Sequence, residues 1–408
     1  MAFFLKESTP AQRKTLLAAS LGWALDAFDV MLFALVTAKV MQALHMSKPQ
    51  AGFLNTLTLL ASGIGGVMFG FIADRIGRTR ALMLSIGTYS ICSFASGLST
   101  SVLMLAVFRF ILGLGMGGEW NTGATLVAET WPTHLRAKAL AVVQSSWALG
   151  YAAAALVAGL MLKRYSWRYV FFVGVLPALV TLWIQRSVPE SEMWRAGRAK
   201  AAEKVAPFRE IFSRTYARQT FALLFLNFFG MFAWWGLFTW LPPYLSLPVA
   251  EGGRGFSVMN TTMLLVTLNL LGMFPGYASF GWVAEKIGRK PSFILYTAVA
   301  AALVPVYAMA RQPWAIMLLG ILLAFFGTGF FSGSGIIGSE IFPTRVRARA
   351  LGFTYNGARA MSSVSPFVIG YLGQRYGLSA ALSLCAAGFA LAAITATQLT
   401  ETLGKQLE

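Results

Sequence analysis

GFIADRIGRTR, from Gly70 to Arg80, decides the fold, because it returns as GWVAEKIGRKP from Gly281. Outward from it, AETWPTHLRAKAL from Ala128 returns as SEIFPTRVRARAL from Ser339. One constant shift of about 211 positions aligns both pairs, as in a chain built of two parallel repeats. The shift matches Asp74 with Glu285, Arg78 with Arg289, Glu129 with Glu340 and Arg136 with Arg347. Duplicated charged loops joining long apolar segments imply a two-halved membrane machine whose halves move against each other. Charges present in only one half then become the candidates for specific chemistry.

Of the 408 residues, 57% are hydrophobic and 12% charged, against roughly 25% charged in a soluble domain. Apolar stretches of about 20 residues, the length that crosses a hydrocarbon core, recur from Thr15 onward. Twelve spans are expected, at 15–41, 50–72, 79–98, 102–130, 137–162, 168–186, 219–246, 258–283, 291–310, 313–340, 348–372 and 378–399. The fold class is an all-α membrane protein with twelve transmembrane helices in two pseudo-symmetric six-helix halves. Residues 1–186 form the N-terminal half, 187–217 a cytoplasmic connector and 218–408 the C-terminal half.

A net charge of +18 raises nucleic acid as a partner, but the distribution of the charge argues against it. With the N-terminus in the cytoplasm, roughly 23 basic residues fall on cytoplasmic segments and about 8 outside, as the positive-inside rule requires. Both termini are then cytoplasmic, and the chain belongs in the cytoplasmic (inner) membrane. The connector is the densest basic stretch, with Arg195, Arg198, Lys200, Lys204, Arg209 and Arg214, and anionic lipid headgroups are its expected partners. A monomer is expected. The first span follows Lys6, Arg13 and Lys14 and contains Asp26 and Asp29, too long and too polar for a cleavable signal core. Cys92 and Cys385 both fall within spans, which supports neither a disulfide framework nor a thiolate metal site. His45 and His134 lie near loops on opposite sides, no phosphate-binding glycine loop with lysine occurs, and no nucleophile–base constellation suggests an enzyme. No cofactor is expected beyond the proton as coupling ion.

The repeated loops place small residues beside an acid and several bases: Gly70, Asp74, Arg75, Gly77 and Arg78, then Gly281, Glu285, Lys286, Gly288 and Arg289. Positive-inside bias requires Lys and Arg but no acid at a fixed place. A latch is therefore favoured over a plain topology signal, with Asp74, Arg75, Arg78, Glu129, Arg136, Glu285, Arg289, Glu340 and Arg347 as its members.

These loops resemble the signature between helices 2 and 3 of the major facilitator superfamily, and the resemblance covers essentially the whole chain. Within it, Leu25-Asp26-Ala27-Phe28-Asp29, the run from Arg109 through Gly113, Gly115, Gly117 and Gly118 to Glu119, Glu129-Thr130-Trp131-Pro132 and Pro189-Glu190-Ser191-Glu192-Met193-Trp194 resemble the sialate:proton symporter branch. That branch also holds carriers of lactate-type monocarboxylates. Its members carry an arginine in helix 2 just before paired glycines, where this chain has Ser62 ahead of Gly65 and Gly66. The departure weakens sialate as cargo and leaves the branch in place.

Ionisable side chains deep in a bilayer are costly and mark pathways or couples. Asp26 and Asp29 in span 1, Arg109 and Glu119 in span 4 and Arg359 in span 11 lie away from the expected ends, and the repeat shift gives none a charged twin. The matched positions are Leu237, Trp240, Gly320, Phe330 and Ala148. Three residues apart on one helical face, Asp26 and Asp29 feel each other's charge, and in a poorly hydrated place at least one is able to carry a proton near neutrality. The plainer reading pairs an aspartate with a base to fix helix packing. Glu119 lies about 15 Å along the helix from Arg109, so each needs a partner elsewhere. The resemblance implies a proton-coupling role for Arg109 with the helix 1 aspartates. Glu119 is either a second proton site or a hydrogen-bonding wall.

Arg359 offers a permanent charge and a planar fork suited to a carboxylate, which makes it the expected anchor of a small organic anion, a monocarboxylate. Its alternative is an ion pair with Asp26, Asp29 or Glu119. Tyr355, Asn356, Gln144 and Asn227 are expected beside it as hydrogen-bonding groups, whereas Phe228, Phe229, Trp234, Trp235 and Trp240 read as packing. The expected function is proton-coupled symport by alternating access. Aromatic-acid or sugar symport, export, and a membrane sensor that binds without transport are the rivals.

Overall fold

The computed structural model describes residues 8–190 and 208–404, and among them every regular element is helical. The chain begins with α1 (Pro10–Ala43), α2 (Lys48–Ile76), α3 (Arg78–Gly97), α4 (Val102–Thr130) and α5 (Thr133–Met161). Next come the short α6 (Trp167–Val173) and α7 (Pro177–Ser187). After a 3-10 turn at Phe208–Phe212 follow α8 (Ala217–Ser246), α9 (Val258–Thr267) and α10 (Phe274–Ile287). The chain ends with α11 (Arg289–Met309), α12 (Pro313–Ile341), α13 (Thr344–Ser362), α14 (Ser365–Tyr376) and α15 (Leu378–Ala396). A π-helical turn, Leu268–Met273, joins α9 to α10.

Among the described residues, ten stretches are long and apolar enough to cross a membrane. The other two expected spans correspond to α3, which opens on Arg78 and Arg80, and to span 11, which holds Arg359 and is broken in the middle. Span 6 is also two helices rather than one. Both breaks precede a proline in the first turn of the next helix: Pro177 begins α7 and Pro366 is the second residue of α14. Proline lacks the amide hydrogen and its ring crowds the preceding turn, so the chain bends there.

The chain forms two compact units, residues 1–39 with 57–203 and residues 40–56 with 204–408. The repeat alone places residues 40–56 in the N-terminal half, so the division differs from the expected one at that segment. The reason is local: Lys48 Nζ donates to the carbonyl of Glu251 at 2.8 Å, and the Phe367 amide donates to Thr56 Oγ1 at 3.3 Å. Connector residues Arg195, Arg198, Lys200 and Lys204 lie outside the described residues.

In the first unit, Ala18, Leu82, Ile86, Tyr89, Leu112, Leu126, Ile184 and Val188 make a core where α1, α3, α4 and α7 meet. The glycine run of α4 permits close backbone approach. A Cβ on Gly117 would collide with the Ser62 carbonyl and the Gly66 amide of α2. Ser62 itself is buried, its hydroxyl donating to the Leu59 carbonyl at 2.7 Å. In the second unit α15 packs against α8 and α11, and α12 packs against α10 and α11.

Candidate functional site

The single-copy charges of the first unit are all buried: Asp26, Asp29 and Glu119 are 1% exposed and Arg109 is 0% exposed. Desolvation on that scale demands a compensating environment. Asp29 accepts a hydrogen bond from Ser93 Oγ of α3 at 2.8 Å and lies in the field of both Asp26 and Arg109. The break in span 6 makes room for this pair, since a Cβ on Gly174 would run into Ser93 Oγ and the Asp29 carboxylate. Arg109 stands over the Phe33 ring at 4.9 Å, and none of its three side-chain nitrogens has a hydrogen-bond partner among the described residues. Its compensation is the charge of Asp29 and the face of an aromatic ring.

Glu119 and Arg109 have separate surroundings, as their spacing along α4 requires. Glu119 turns toward α1, where a side chain on Gly22 would displace its carboxylate, and Gly123 leaves it further space. Tyr89 of α3 donates to the Gly22 carbonyl at 3.4 Å and lies in the fields of Glu119, Asp26 and Asp29. Ser93, Gly174 and Tyr89 were not singled out by sequence, because such residues are unremarked in apolar spans.

Three tryptophans also converge in the first unit. Trp23 of α1 lies 4.5 Å from Trp120 of α4 and 4.7 Å from Trp147 of α5, between ring centroids. They neighbour the site in sequence: Trp23 is one turn before Asp26, Trp120 follows Glu119, and Trp147 is one turn after the buried Gln144. Spacing in the sequence does not bring these three rings together, and the aromatic cluster it does show lies on α8. There Trp234, Trp235 and Trp240 are buried, and Trp240 Nε1 donates to the Pro366 carbonyl at 2.8 Å, consistent with packing.

In the second unit Arg359 is 4% exposed, and its Nε and Nη2 have no hydrogen-bond partner among the described residues. Tyr355 lies one turn earlier on α13 and within the field of Arg359, and both Tyr355 and Asn356 are half-buried. Asn227 departs from expectation. Its Nδ2 donates to the Thr354 carbonyl at 3.4 Å and its Oδ1 accepts from Ser334 Oγ at 2.5 Å. The amide thereby ties α8, α12 and α13, which is a structural job rather than a free binding group.

The charged groups expected to form each latch make ion pairs inside their own unit. Arg78 pairs with Asp74 at 2.5 Å and with Glu129 at 3.3 Å. The Asp74 side chain is 68% exposed, so that pair contributes little, about 0.2–1 kcal/mol, and the half-buried Glu129 is the stronger anchor. Arg289 pairs with Glu340 at 2.9 Å and lies in the field of Glu285. Arg347 Nε donates to the Phe342 carbonyl at 3.0 Å. Arg136 is half-buried, with no hydrogen-bond partner for its Nε among the described residues, and Arg75 is exposed.

Each latch has a further member. Glu190 accepts the amide hydrogens of Arg78 and Thr79, and Glu401 accepts those of Arg289 and Lys290. The two glutamates obey the same repeat shift and cap the helices that follow the latches, α3 and α11. Burial raises the Glu401 carboxyl, but amide donors from Arg289, Leu403, Lys290 and Thr402 outweigh it and hold the group below its ordinary value.

Buried charges inside two repeated helical units are the arrangement of a membrane carrier. The Major Facilitator Superfamily model matches residues 19–259 and 255–405, and the chain belongs to that family; it is a transporter and not an enzyme. It is 34% identical to the "Probable 4-methylmuconolactone transporter" of Cupriavidus pinatubonensis, over 100% of this chain and 95% of that protein. It is 33% identical to the sialic acid transporter NanX of Escherichia coli, over 94% and 93%. Among solved structures, the partially occluded, inward-open xylose transporter XylE of E. coli aligns with a TM-score of 0.77 at 19% identity, covering 98% of this chain and 100% of that one.

Proposed function

We propose that this transporter takes up a small organic anion, a monocarboxylate, together with a proton, by alternating access in the cytoplasmic membrane with both termini in the cytoplasm. The observation that carries the reading is the fully buried Arg109, whose guanidinium has no hydrogen-bond partner among the described residues and lies in the field of Asp29. A charge held that way is balanced by one carboxylate, so protonation of the Asp26 and Asp29 pair alters the balance and gives cargo binding a proton to follow. Glu119 is a second proton site or a wall. Arg359, with Tyr355 and Asn356 on the same helix, holds the substrate carboxylate.

A planar, unsaturated acid is favoured over a polyhydroxylated one by the Trp23, Trp120 and Trp147 cluster and by the likeness to the Cupriavidus relative named as a probable 4-methylmuconolactone transporter. The test is uptake into liposomes under an imposed pH gradient. Accumulation of the anion is expected to require the gradient and to vanish in Asp26→Asn combined with Asp29→Asn. Uptake indifferent to the gradient in both proteins would sink the coupling, and binding without accumulation would make the chain a sensor.

A further inference from the structure

We propose that the cavity between Lys14 and Arg186, at the latch end of the first unit, binds the phosphate of an anionic membrane phospholipid. The cavity is a shallow cleft open to the surface, with a volume of about 360 Å³, and is lined by Ala11, Lys14, Arg186, Ser187, Val188 and Pro189. That is within the range of ordinary ligand sites, roughly 300–1,000 Å³. Both charges in its lining are cations, and both side chains are exposed. One comes from the start of α1 and the other from the last turn of α7, two helices packed together through Ala18, Ile184 and Val188.

The apolar surroundings select the ligand. Leu17, one turn after Lys14, is 49% exposed. Leu182 and Leu179, one and two turns before Arg186, are 54% and 61% exposed. Helical spacing of three or four residues sets each leucine on the face of its cation, so two basic groups stand at the head of an apolar track. An anion alone uses the head and a hydrocarbon alone uses the track. A phospholipid of net negative charge uses both, and cations at a membrane surface attract such lipids.

The neighbouring acid, Glu190, accepts the amide hydrogens of Arg78 and Thr79. The cavity wall is also the latch strap: the Pro189 carbonyl accepts from Thr79 Oγ1 at 3.3 Å. A lipid bound to Lys14 and Arg186 therefore braces the segment that caps α3.

The full chain, purified in neutral detergent and stripped of lipid, tests the site. Phosphatidylglycerol is expected to raise its unfolding temperature in a saturable way, with little effect from phosphatidylcholine or free glycerol phosphate. Lys14→Gln with Arg186→Gln should lose the shift, while Lys163→Gln with Arg164→Gln, a basic pair just beyond α5, should keep it. An equal shift from glycerol phosphate alone would replace the lipid with a soluble phosphate, and an undiminished shift in the Lys14 and Arg186 variant would remove the site; either overturns the proposal. If the double variant fails to fold, native mass spectrometry of Arg186→Gln supplies the answer. Phosphatidylglycerol retention reduced about fivefold is expected for one lost surface cation, and unchanged retention overturns the assignment.

Discussion

A methyl group at Gly174 would meet both the Asp29 carboxylate and Ser93 Oγ, so Gly174→Ala tests how tightly that aspartate is held. Overpacking of this kind costs about 1–3 kcal/mol, expected as a lowered unfolding temperature. Ser93→Ala removes one of the two obstacles, so the pair should be less damaging together than the sum of the single changes; strict additivity would show that Gly174 matters only for the bend. Glu401 gives a second residue-scale expectation. Its carboxyl is held below its ordinary value, so its contribution is present at neutral pH and is lost as pH falls through the carboxylate range, below about 4.5, and on through its folded value. The unfolding temperature of the parent should therefore drop more steeply on acidification than that of Glu401→Gln, and parallel curves would refute the cap. Asp26, Asp29, Arg109, Glu119 and Arg359 are legible in sequence because a charge in a span is costly wherever it points. Ser93, Gly174 and Tyr89 are not, since serine, glycine and tyrosine enter spans at little cost and acquire meaning only from neighbours distant in the chain.

At the scale of elements, the repeat predicts that what caps one latch helix caps the other, and Glu190 with Glu401 follow the shift already visible in Asp74 and Glu285. They escape a reading centred on the loops because each lies a full span or more away in sequence from the helix it caps. The broken spans are a different case. Pro177 and Pro366 are in plain view, but proline inside an apolar stretch bends a helix in one protein and ends it in another, depending on what satisfies the freed carbonyls. Asn227 shows why a polar group in a span is ambiguous: its amide joins three helices instead of waiting for cargo. Asn227→Ala is accordingly expected to destabilise by about 1–3 kcal/mol, the cost of leaving buried partners unsatisfied, with substrate affinity in the folded fraction little changed. A thermal melt and a binding titration on the same sample separate the two effects. Trp120→Leu should do the opposite, changing the preference between planar and polyhydroxylated acids more than it changes stability; unaltered selectivity would return the cluster to packing.

For the whole molecule, two units built from one repeat but carrying different buried charges pose a question of linkage. If a proton and an organic anion stabilise the same loaded state, each must raise the affinity for the other by an equal factor. The pH dependence of anion binding then counts the protons taken up with the cargo. For one proton, the apparent affinity should fall about tenfold per pH unit above the value at which the Asp26 and Asp29 pair titrates, and level off below it. Asp26→Asn with Asp29→Asn should bind with a shallow or flat profile, while Arg359→Ala should lower affinity at every pH and leave the slope of the profile intact. Titration calorimetry across pH in buffers of different ionisation enthalpy measures both the slope and the proton count. A flat profile in the parent would disconnect the buried aspartates from the cargo, and an unchanged slope in the aspartate variant would move the coupling proton elsewhere, with Glu119 the next group to test.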